Sequence, residues 1–177
     1  MSKPRFEDFF ELFGLPRAFR IDDGVLAARY RELAAQVHPD RFAHLGEADR
    51  RAAVSYASDV NEAYRTLGST LARAQYLLHL AGQDAALESN TAMDTSFLME
   101  QMEWREAVSE ARAAQDVDEL DHLRLRLHDR MDLGLDQLGD EIDDQRDYAA
   151  AADSVRRLMF LDKLGREIDA ALEQLDT

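Results

Sequence analysis

The sequence predicts an all-α protein, and three observations point to this fold class. Glycine and proline are sparse, with 8 and 3 residues in a chain of 177. Almost every long stretch repeats apolar residues at helical spacing, every three or four positions. No stretch alternates apolar and polar residues as a strand would, and no internal repeat or low-complexity tract interrupts the helical pattern.

Two helices are predicted at the start of the chain. A short one, rich in phenylalanine, ends at Gly14, because glycine is a natural C-cap and Pro16 prevents continuation. Asp22 or Asp23 can cap the second, which Pro39 ends. The apolar stripe of the second helix consists of Leu26, Tyr30, Leu33 and Val37.

Two further helices complete the first 80 residues. The third stops near Gly68, and the fourth is capped by Ser69 or Thr70 and ends before Gly82. The apolar stripe of the third helix consists of Ala53, Ala57, Val60, Tyr64 and Leu67.

The second half predicts a connector and three longer helices. Residues 81–94 are small and polar, and the helices are expected at 95–113, 117–139 and 145–175. Three striped helices can bury their apolar faces only against one another, so residues 95–177 are expected to form an antiparallel three-helix bundle. The stripes of the last two helices are Leu120, Leu123, Leu127, Met131 and Leu138, then Leu158, Leu161, Leu164, Ile168, Leu172 and Leu175.

The charge divides the chain in the same way. Residues 1–80 carry 11 basic and 11 acidic residues, so the net charge of −15 lies in residues 81–177, which carry 10 basic and 25 acidic residues. This asymmetry indicates two units with different partners, although the acid could also simply keep a bundle soluble. Nucleic acid and anionic membranes are not expected as partners, because the acidic half would be repelled by both.

Several function classes are not expected from this composition. The N-terminal residues 1–8 lack the apolar core of a secretory signal, and no apolar run approaches the roughly 20 residues that cross a bilayer. Without cysteine there is no thiolate zinc site or thiol nucleophile, and neither a histidine pairing nor a glycine-rich phosphate loop occurs. We therefore expect a cytoplasmic protein that is not an enzyme and has no cofactor or metal.

The tripeptide His38-Pro39-Asp40 is the strongest local signal. Proline fixes its own φ angle and disfavours helical geometry at His38, so a short rigid loop would present an imidazole and a carboxylate beyond the second helix. A proline at the end of a helix is also common without any function, so the tripeptide alone does not decide between the two interpretations.

The surroundings of the tripeptide resemble the J-domain family over roughly residues 6–75. It lies between a helix reading Tyr30-Arg31-Glu32-Leu33-Ala34 and a helix reading Val60-Asn61-Glu62-Ala63-Tyr64-Arg65-Thr66-Leu67. The resemblance implies that His38, Pro39 and Asp40 dock on a DnaK-type chaperone and promote ATP hydrolysis there. It also implies that the basic residues Arg29, Arg31 and Arg41 face the chaperone.

Three later blocks resemble the HscB family, the J-proteins dedicated to iron–sulfur cluster assembly. They begin at Leu71, Phe97 and Ala150, and read LARAQYLL, FLMEQMEWRE and AAADSVRRLMFLDKL. The resemblance implies a co-chaperone that delivers the scaffold protein IscU to the chaperone HscA. The chain carries no cysteine-rich zinc module, which favours the bacterial form.

Helix geometry predicts a second face on the helix at 95–113. At about 100° per residue, Phe97, Trp104 and Val108 share one face, whereas Leu98, Met99 and Met102 lie on another. Such a second face could pack on the connector or on the first domain, or it could bind a partner. The HscB resemblance favours a partner and implies that the scaffold contacts Leu98, Met99, Met102, Glu103, Glu106 and Phe160.

Two other functions remain open from the residues. One is a helical adaptor, or a general J-protein that serves a different client. The other is an all-α hydrolase that uses His38 and Asp40 as acid and base, for which the sequence offers no nucleophile or metal site.

Overall fold

The computed structural model describes residues 6–36, 46–83 and 94–175. The chain divides into two compact units, Met1–Leu77 and Leu78–Thr177. Within the described ranges, all regular structure is helical, which confirms the all-α prediction. None of these helices combines the length and the apolar character that crossing a membrane requires.

The helices of the first part of the chain are α1 (Phe9–Phe13), α2 (Asp23–Gln36), α3 (Glu47–Gly68) and α4 (Thr70–Leu80). The expected caps are present. Gly14 adopts φ 63°, and its N–H donates to the carbonyls of α1. The Asp22 carboxylate accepts from the Val25 N–H at 3.0 Å, and the Ser69 hydroxyl oxygen accepts from the Ala72 N–H at 3.4 Å.

The core of the first unit lies between α1, α2, α3 and the start of α4. Its largest fully buried side chains are Phe10, Phe13, Leu26, Val60 and Leu67. These are stripe residues of the predicted helices, so apolar periodicity accounts for this core.

A buried arginine ties α4 to this core. Arg73 is 5% exposed. Its guanidinium donates to the Leu67 carbonyl at 2.8 Å and to the Asp23 carboxylate at 3.1 Å. The same group lies 5.7 Å from the centre of the Phe19 ring. Because a buried charge is tolerated only when it is paired, these contacts fix the end of α3 against the start of α2.

The second unit is a bundle of α5 (Thr95–Ala114), α6 (Val117–Gly139) and α7 (Tyr148–Leu175). Glu100 contacts Arg130, and Trp104 lies under Arg126, so α5 and α6 run antiparallel. Ideal Cβ positions at two glycines of the bundle would contact leucines of the facing helix, Gly134 against Leu158 and Gly165 against Leu127. This pairing makes α6 and α7 antiparallel as well.

One element of the bundle differs from the expectation. The segment expected to join the last two helices contains a π-helical turn, Asp140–Gln145, and α7 begins at Tyr148 rather than near 145. The turn ends at Arg146, a non-glycine residue with φ 55°. The N–H groups of Arg146 and Asp147 both donate to the Glu141 carbonyl. Because the turn is defined by these hydrogen bonds rather than by composition, the residue pattern does not indicate it.

Candidate functional site

The predicted chaperone-docking residues fall into two groups. His38, Pro39, Asp40 and Arg41 lie outside the described residues. Arg29 and Arg31 lie on α2, and both are exposed. At about 100° per residue they lie roughly 160° apart around the helix axis, so they face opposite sides of α2.

The two arginines also differ in their electrostatic surroundings. The Arg29 guanidinium contacts the Glu32 carboxylate one turn later at 3.1 Å. That pairing partly neutralises the side of α2 that carries Arg29. A single basic surface on α2 therefore cannot include both arginines.

The hairpin of α2 and α3 is joined by aromatic and polar contacts. The rings of Tyr30 and Tyr64 stack with their centres 4.1 Å apart. The Tyr30 hydroxyl donates to Asn61 Oδ1 at 2.9 Å. These contacts bring the two helices on either side of residues 37–46 together.

The predicted scaffold face is an exposed surface on α5. Leu98, Met99 and Met102 are 46%, 59% and 70% exposed, and Glu103 and Glu106 are exposed beside them. The opposite side of the same helix is buried in the bundle through Phe97, Trp104, Val108 and Ala111. The structure thus separates the two faces of α5 as helical periodicity predicts.

Phe160 differs from the other residues assigned to this face. It is half-buried on α7 and packs against the core of the bundle. Its ring meets the Phe97 ring edge-on, with the centres 5.8 Å apart and the planes at 90°. The side chain therefore packs as a core residue and is only in part available to a partner.

A residue that the sequence reasoning missed lies at this edge. The Arg105 guanidinium lies 5.7 Å from the centre of the Phe160 ring. Arg105 follows Leu98 by seven residues, so it lies within about 20° of Leu98 around α5. The seven-residue spacing from Leu98 is the feature of the sequence that predicts a position for Arg105 on this face. It places a cation beside the exposed apolar side chains.

Carboxylate caps define where α5 and α6 begin. The Asp94 carboxylate accepts from the Ser96 N–H at 3.3 Å, and the Asp116 carboxylate accepts from the Glu119 N–H at 3.0 Å. The side-chain and backbone hydrogen bonds from Ser96 lower the pKa of Asp94. A charged cap is favourable at the positive end of the helix dipole and defines where α5 begins.

The histidines in the described ranges do not assemble a metal centre. His122 and His128 are exposed, and each lies 3.7 Å from a carboxylate on its own helix. Within the described residues, no group of three or more histidine, aspartate or glutamate side chains is placed to hold a metal ion.

Comparison with known proteins agrees with this architecture. Residues 93–169 match the family described as the HSCB C-terminal oligomerisation domain. A co-chaperone protein HscB homolog of Azoarcus sp. is 58% identical over 173 residues, which is 96% of each chain. Chaperone HscB from Vibrio cholerae superimposes with a TM-score of 0.83 at 38% identity, over 95% of this chain and 99% of that one. Human co-chaperone protein HscB superimposes with a TM-score of 0.90 at 26% identity, over 100% of this chain and 87% of that one.

The chain shares with these structures a helical hairpin followed by a three-helix bundle. This architecture defines a two-domain J-protein co-chaperone. Given the identity over nearly its full length, the chain belongs to the HscB family of co-chaperones. The relatives are named as co-chaperones rather than as enzymes.

Proposed function

We propose that this co-chaperone stimulates the ATPase of a DnaK-type chaperone, HscA, and delivers the iron–sulfur scaffold protein IscU to it. In this proposal residues 1–80 dock on the chaperone, with His38, Pro39 and Asp40 at the contact. Residues 95–177 bind the scaffold, and residues 81–94 connect the two parts.

The exposed apolar face of α5 carries the proposal. Leu98, Met99 and Met102 are adjacent on one side of the helix and are all exposed, although the opposite side already supplies the buried stripe that the bundle needs. Contiguous exposed apolar side chains favour a protein interface, and methionine adapts its shape to a partner. Glu103 and Glu106 would form the polar rim of this interface.

The chaperone-docking role rests on the resemblance to the J-domain and on the α2–α3 hairpin. The tripeptide begins two residues after the last residue of α2, and Tyr30 and Tyr64 hold that helix to α3. A rigid hairpin would allow a short loop to dock at low entropic cost. Since Arg29 is paired with Glu32, we assign the larger part of any electrostatic steering to Arg31 and Arg41.

A general J-protein that serves another client would use the same two surfaces, so the scaffold must be part of the test. The experiment measures steady-state ATP hydrolysis by HscA with and without this protein, and with and without IscU. We expect stimulation by the protein alone and greater stimulation when IscU is added. His38→Gln should abolish both effects and leave IscU binding unchanged in calorimetric titration.

The possible results separate the alternatives. Unchanged ATPase stimulation by the His38→Gln variant would overturn the co-chaperone mechanism. Stimulation that does not respond to IscU, together with no heat of binding, would instead indicate a J-protein for a different client.

A further inference from the structure

A groove between α5 and α7 concentrates positive charge in the second unit. Its volume is about 570 Å³. Among the described residues that line it, Arg105, Arg112 and Lys163 are basic and Glu167 is acidic, and all four are exposed. Residues 81–177 as a whole carry 10 basic and 25 acidic residues. The charge of the groove is therefore opposite in sign to that of the half of the chain that contains it.

The three cations of the groove have no carboxylate partner in the part of the chain that the structure describes. Elsewhere in the bundle, Arg124 contacts Asp121 at 2.8 Å and Arg130 contacts Glu100 at 3.2 Å. In the groove, no described carboxylate oxygen lies within 4.0 Å of a basic nitrogen. The positive charges of the groove are thus available to an anion from outside the unit.

Helix stability accounts for only one of these cations. Arg112 lies in the last turn of α5, where the helix dipole favours a positive charge. Arg105 and Lys163 lie in the interior of their helices, where the effect of the dipole has faded. Both side chains are exposed, so packing does not require them either. Their meeting in one groove favours the recognition of an anion.

The groove continues the proposed scaffold interface along the same side of α5. At about 100° per residue, Arg105 and Arg112 lie within about 40° of Leu98 around the helix axis. A contact also joins the two surfaces, because the Arg105 guanidinium lies 5.7 Å from the centre of the Phe160 ring. A partner that covers Leu98 would therefore reach the groove as it extends along α5.

The opposite edge of the same interface is acidic. Around α5, Glu106 lies about 80° from Leu98 and Glu103 about 140° from it, both in the same direction. Arg105 and Arg112 lie about 20° and 40° from Leu98 in the other direction. Charges of opposite sign thus flank the exposed apolar side chains. A partner with the reverse arrangement of charges can bind in only one orientation.

We propose that this groove binds an acidic segment of the scaffold protein, whose aspartate or glutamate side chains contact Arg112 and Lys163. The inference rests on the proposed function and adds to it a second point of contact beside the apolar face. Because the cations are exposed, their attraction for the segment is screened by salt. The groove therefore contributes most to affinity at low ionic strength and sets the orientation of the bound scaffold.

The test is calorimetric titration of the full-length protein with IscU at about 50 mM and about 500 mM sodium chloride. The variant Arg112→Gln, Lys163→Gln removes both charges and keeps long polar side chains. We expect its affinity for IscU to fall about five-fold or more at the lower salt concentration and to approach that of the wild type at the higher one. As a matched control, Arg124→Gln, Arg166→Gln removes two charges from exposed positions on α6 and α7. The control should change the affinity less than about two-fold.

Two further measurements separate binding from folding. Trp104-detected unfolding should be nearly unchanged in both double variants, because all four substituted side chains are exposed. NMR of the labelled wild-type protein should show saturable shifts of the Ser109 and Lys163 backbone amides when IscU is added, since both residues line the groove. These shifts do not depend on any substitution.

The possible results distinguish this inference from the proposed function. Wild-type affinity in the Arg112→Gln, Lys163→Gln variant at both salt concentrations would overturn the inference alone, provided that Leu98→Ala, Met102→Ala weakens binding. An equal loss in the control pair would also overturn it, because the effect would then follow from net charge. If the wild-type protein does not bind IscU, the proposed function fails and the inference fails with it.

Discussion

The ring of Tyr30 on α2 lies nearly flat against the ring of Tyr64 on α3, with their centres 4.1 Å apart and their planes 16° apart. Both residues are half-buried, so the pair excludes water from part of the hairpin without being enclosed in the core. Stacked aromatic pairs contribute about 0.5–1.5 kcal/mol beyond the area that they bury. The contact therefore stabilises the hairpin on which the proposed docking depends.

Replacing Tyr64 with alanine should destabilise the first unit selectively. We expect a loss of about 2 kcal/mol, from the ring pair and the partly buried area together. Tyr64→Phe keeps the ring and should cost less than about 0.5 kcal/mol. Urea unfolding followed by far-UV circular dichroism reports both units, whereas the single tryptophan, Trp104, reports the second. A shift of the Trp104 transition in Tyr64→Ala would contradict this assignment.

Asp8 links the start of α1 to Arg17. Its carboxylate accepts from the Glu11 N–H and from Arg17 Nε, both at 2.9 Å. Burial raises the pKa of Asp8, but these hydrogen bonds and the Arg17 charge together lower the pKa below its ordinary value of 3.8. The unfolded chain therefore takes up the proton first as the pH falls, so the contribution of Asp8 is complete above 3.8 and disappears below its folded-state pKa.

Asp8→Asn should therefore destabilise the protein at pH 7 and have little effect at low pH. Asparagine retains the cap but loses the charge. Because Arg17 is partly exposed, water screens its ion pair with Asp8, and we expect the free energy of unfolding to fall by only about 1 kcal/mol at pH 7. Urea unfolding of both proteins at pH 7 and at a pH below 3 measures the difference. A cost that is the same at both pH values would show that the ion pair does not contribute.

Gly134 allows α6 to approach α7 closely. A Cβ atom at this position would lie 2.9 Å from Leu158 Cδ2, and Leu158 is 2% exposed. Gly134→Ala gains up to about 1 kcal/mol of helix propensity but overpacks the contact, which typically costs about 1–3 kcal/mol. We expect net destabilisation in Trp104-detected unfolding.

Two further variants test the reason for that loss. In a Leu158→Ala background the added methyl group has room, so Gly134→Ala should then be neutral or stabilising. At Gly68 an added Cβ would meet nothing within 4 Å, and Gly68→Ala should stabilise the first unit by up to about 1 kcal/mol. An equal cost of Gly134→Ala in both backgrounds would exclude overpacking as its cause.

Most of the helices and both cores could be predicted from the sequence, because they depend on local periodicity and capping. Leu26, Leu123 and Leu161 are buried as stripe residues, and Gly14 ends α1 as glycine caps predict. The C-cap of α5 was harder to predict from the sequence, because it is Gln115, a residue other than glycine that adopts φ 52°. Left-handed geometry at such a residue is set by tertiary packing and by the cap hydrogen bonds.

The burial of Glu141 could not be predicted in the same way. Glu141 follows Leu138 by three residues, but a glutamate is normally expected to be exposed unless it is paired. Its burial depends on the π-helical turn and on packing against α7. Phe160 shows the converse case. It lies roughly 80–100° off the apolar stripe of its helix, which predicts exposure, whereas its contact with Phe97 and the bundle core half-buries it.

The residues assigned to the scaffold interface differ from one another in burial, so binding to the scaffold can be tested separately from the stability of the bundle core. Leu98 and Met102 are exposed, whereas Phe160 packs on Phe97. Leu125 and Leu133 on α6 are 62% and 64% exposed. They provide a matched control of exposed apolar side chains outside the proposed interface.

The double variant Leu98→Ala, Met102→Ala should lose scaffold binding without loss of stability. Exposed side chains contribute less than about 0.5 kcal/mol each to folding, whereas interface anchors contribute about 1 kcal/mol or more each to binding, so affinity for IscU should fall about 30-fold or more. Leu125→Ala, Leu133→Ala should bind normally. Phe160→Ala alone should lower the free energy of unfolding by about 2 kcal/mol, because it removes a partly buried ring. Calorimetric titration with IscU and Trp104-detected unfolding measure both quantities. Normal IscU binding by the Leu98→Ala, Met102→Ala variant would mean that this face of α5 is not the scaffold interface. An equal loss of IscU affinity in the Leu125→Ala, Leu133→Ala control would mean the same.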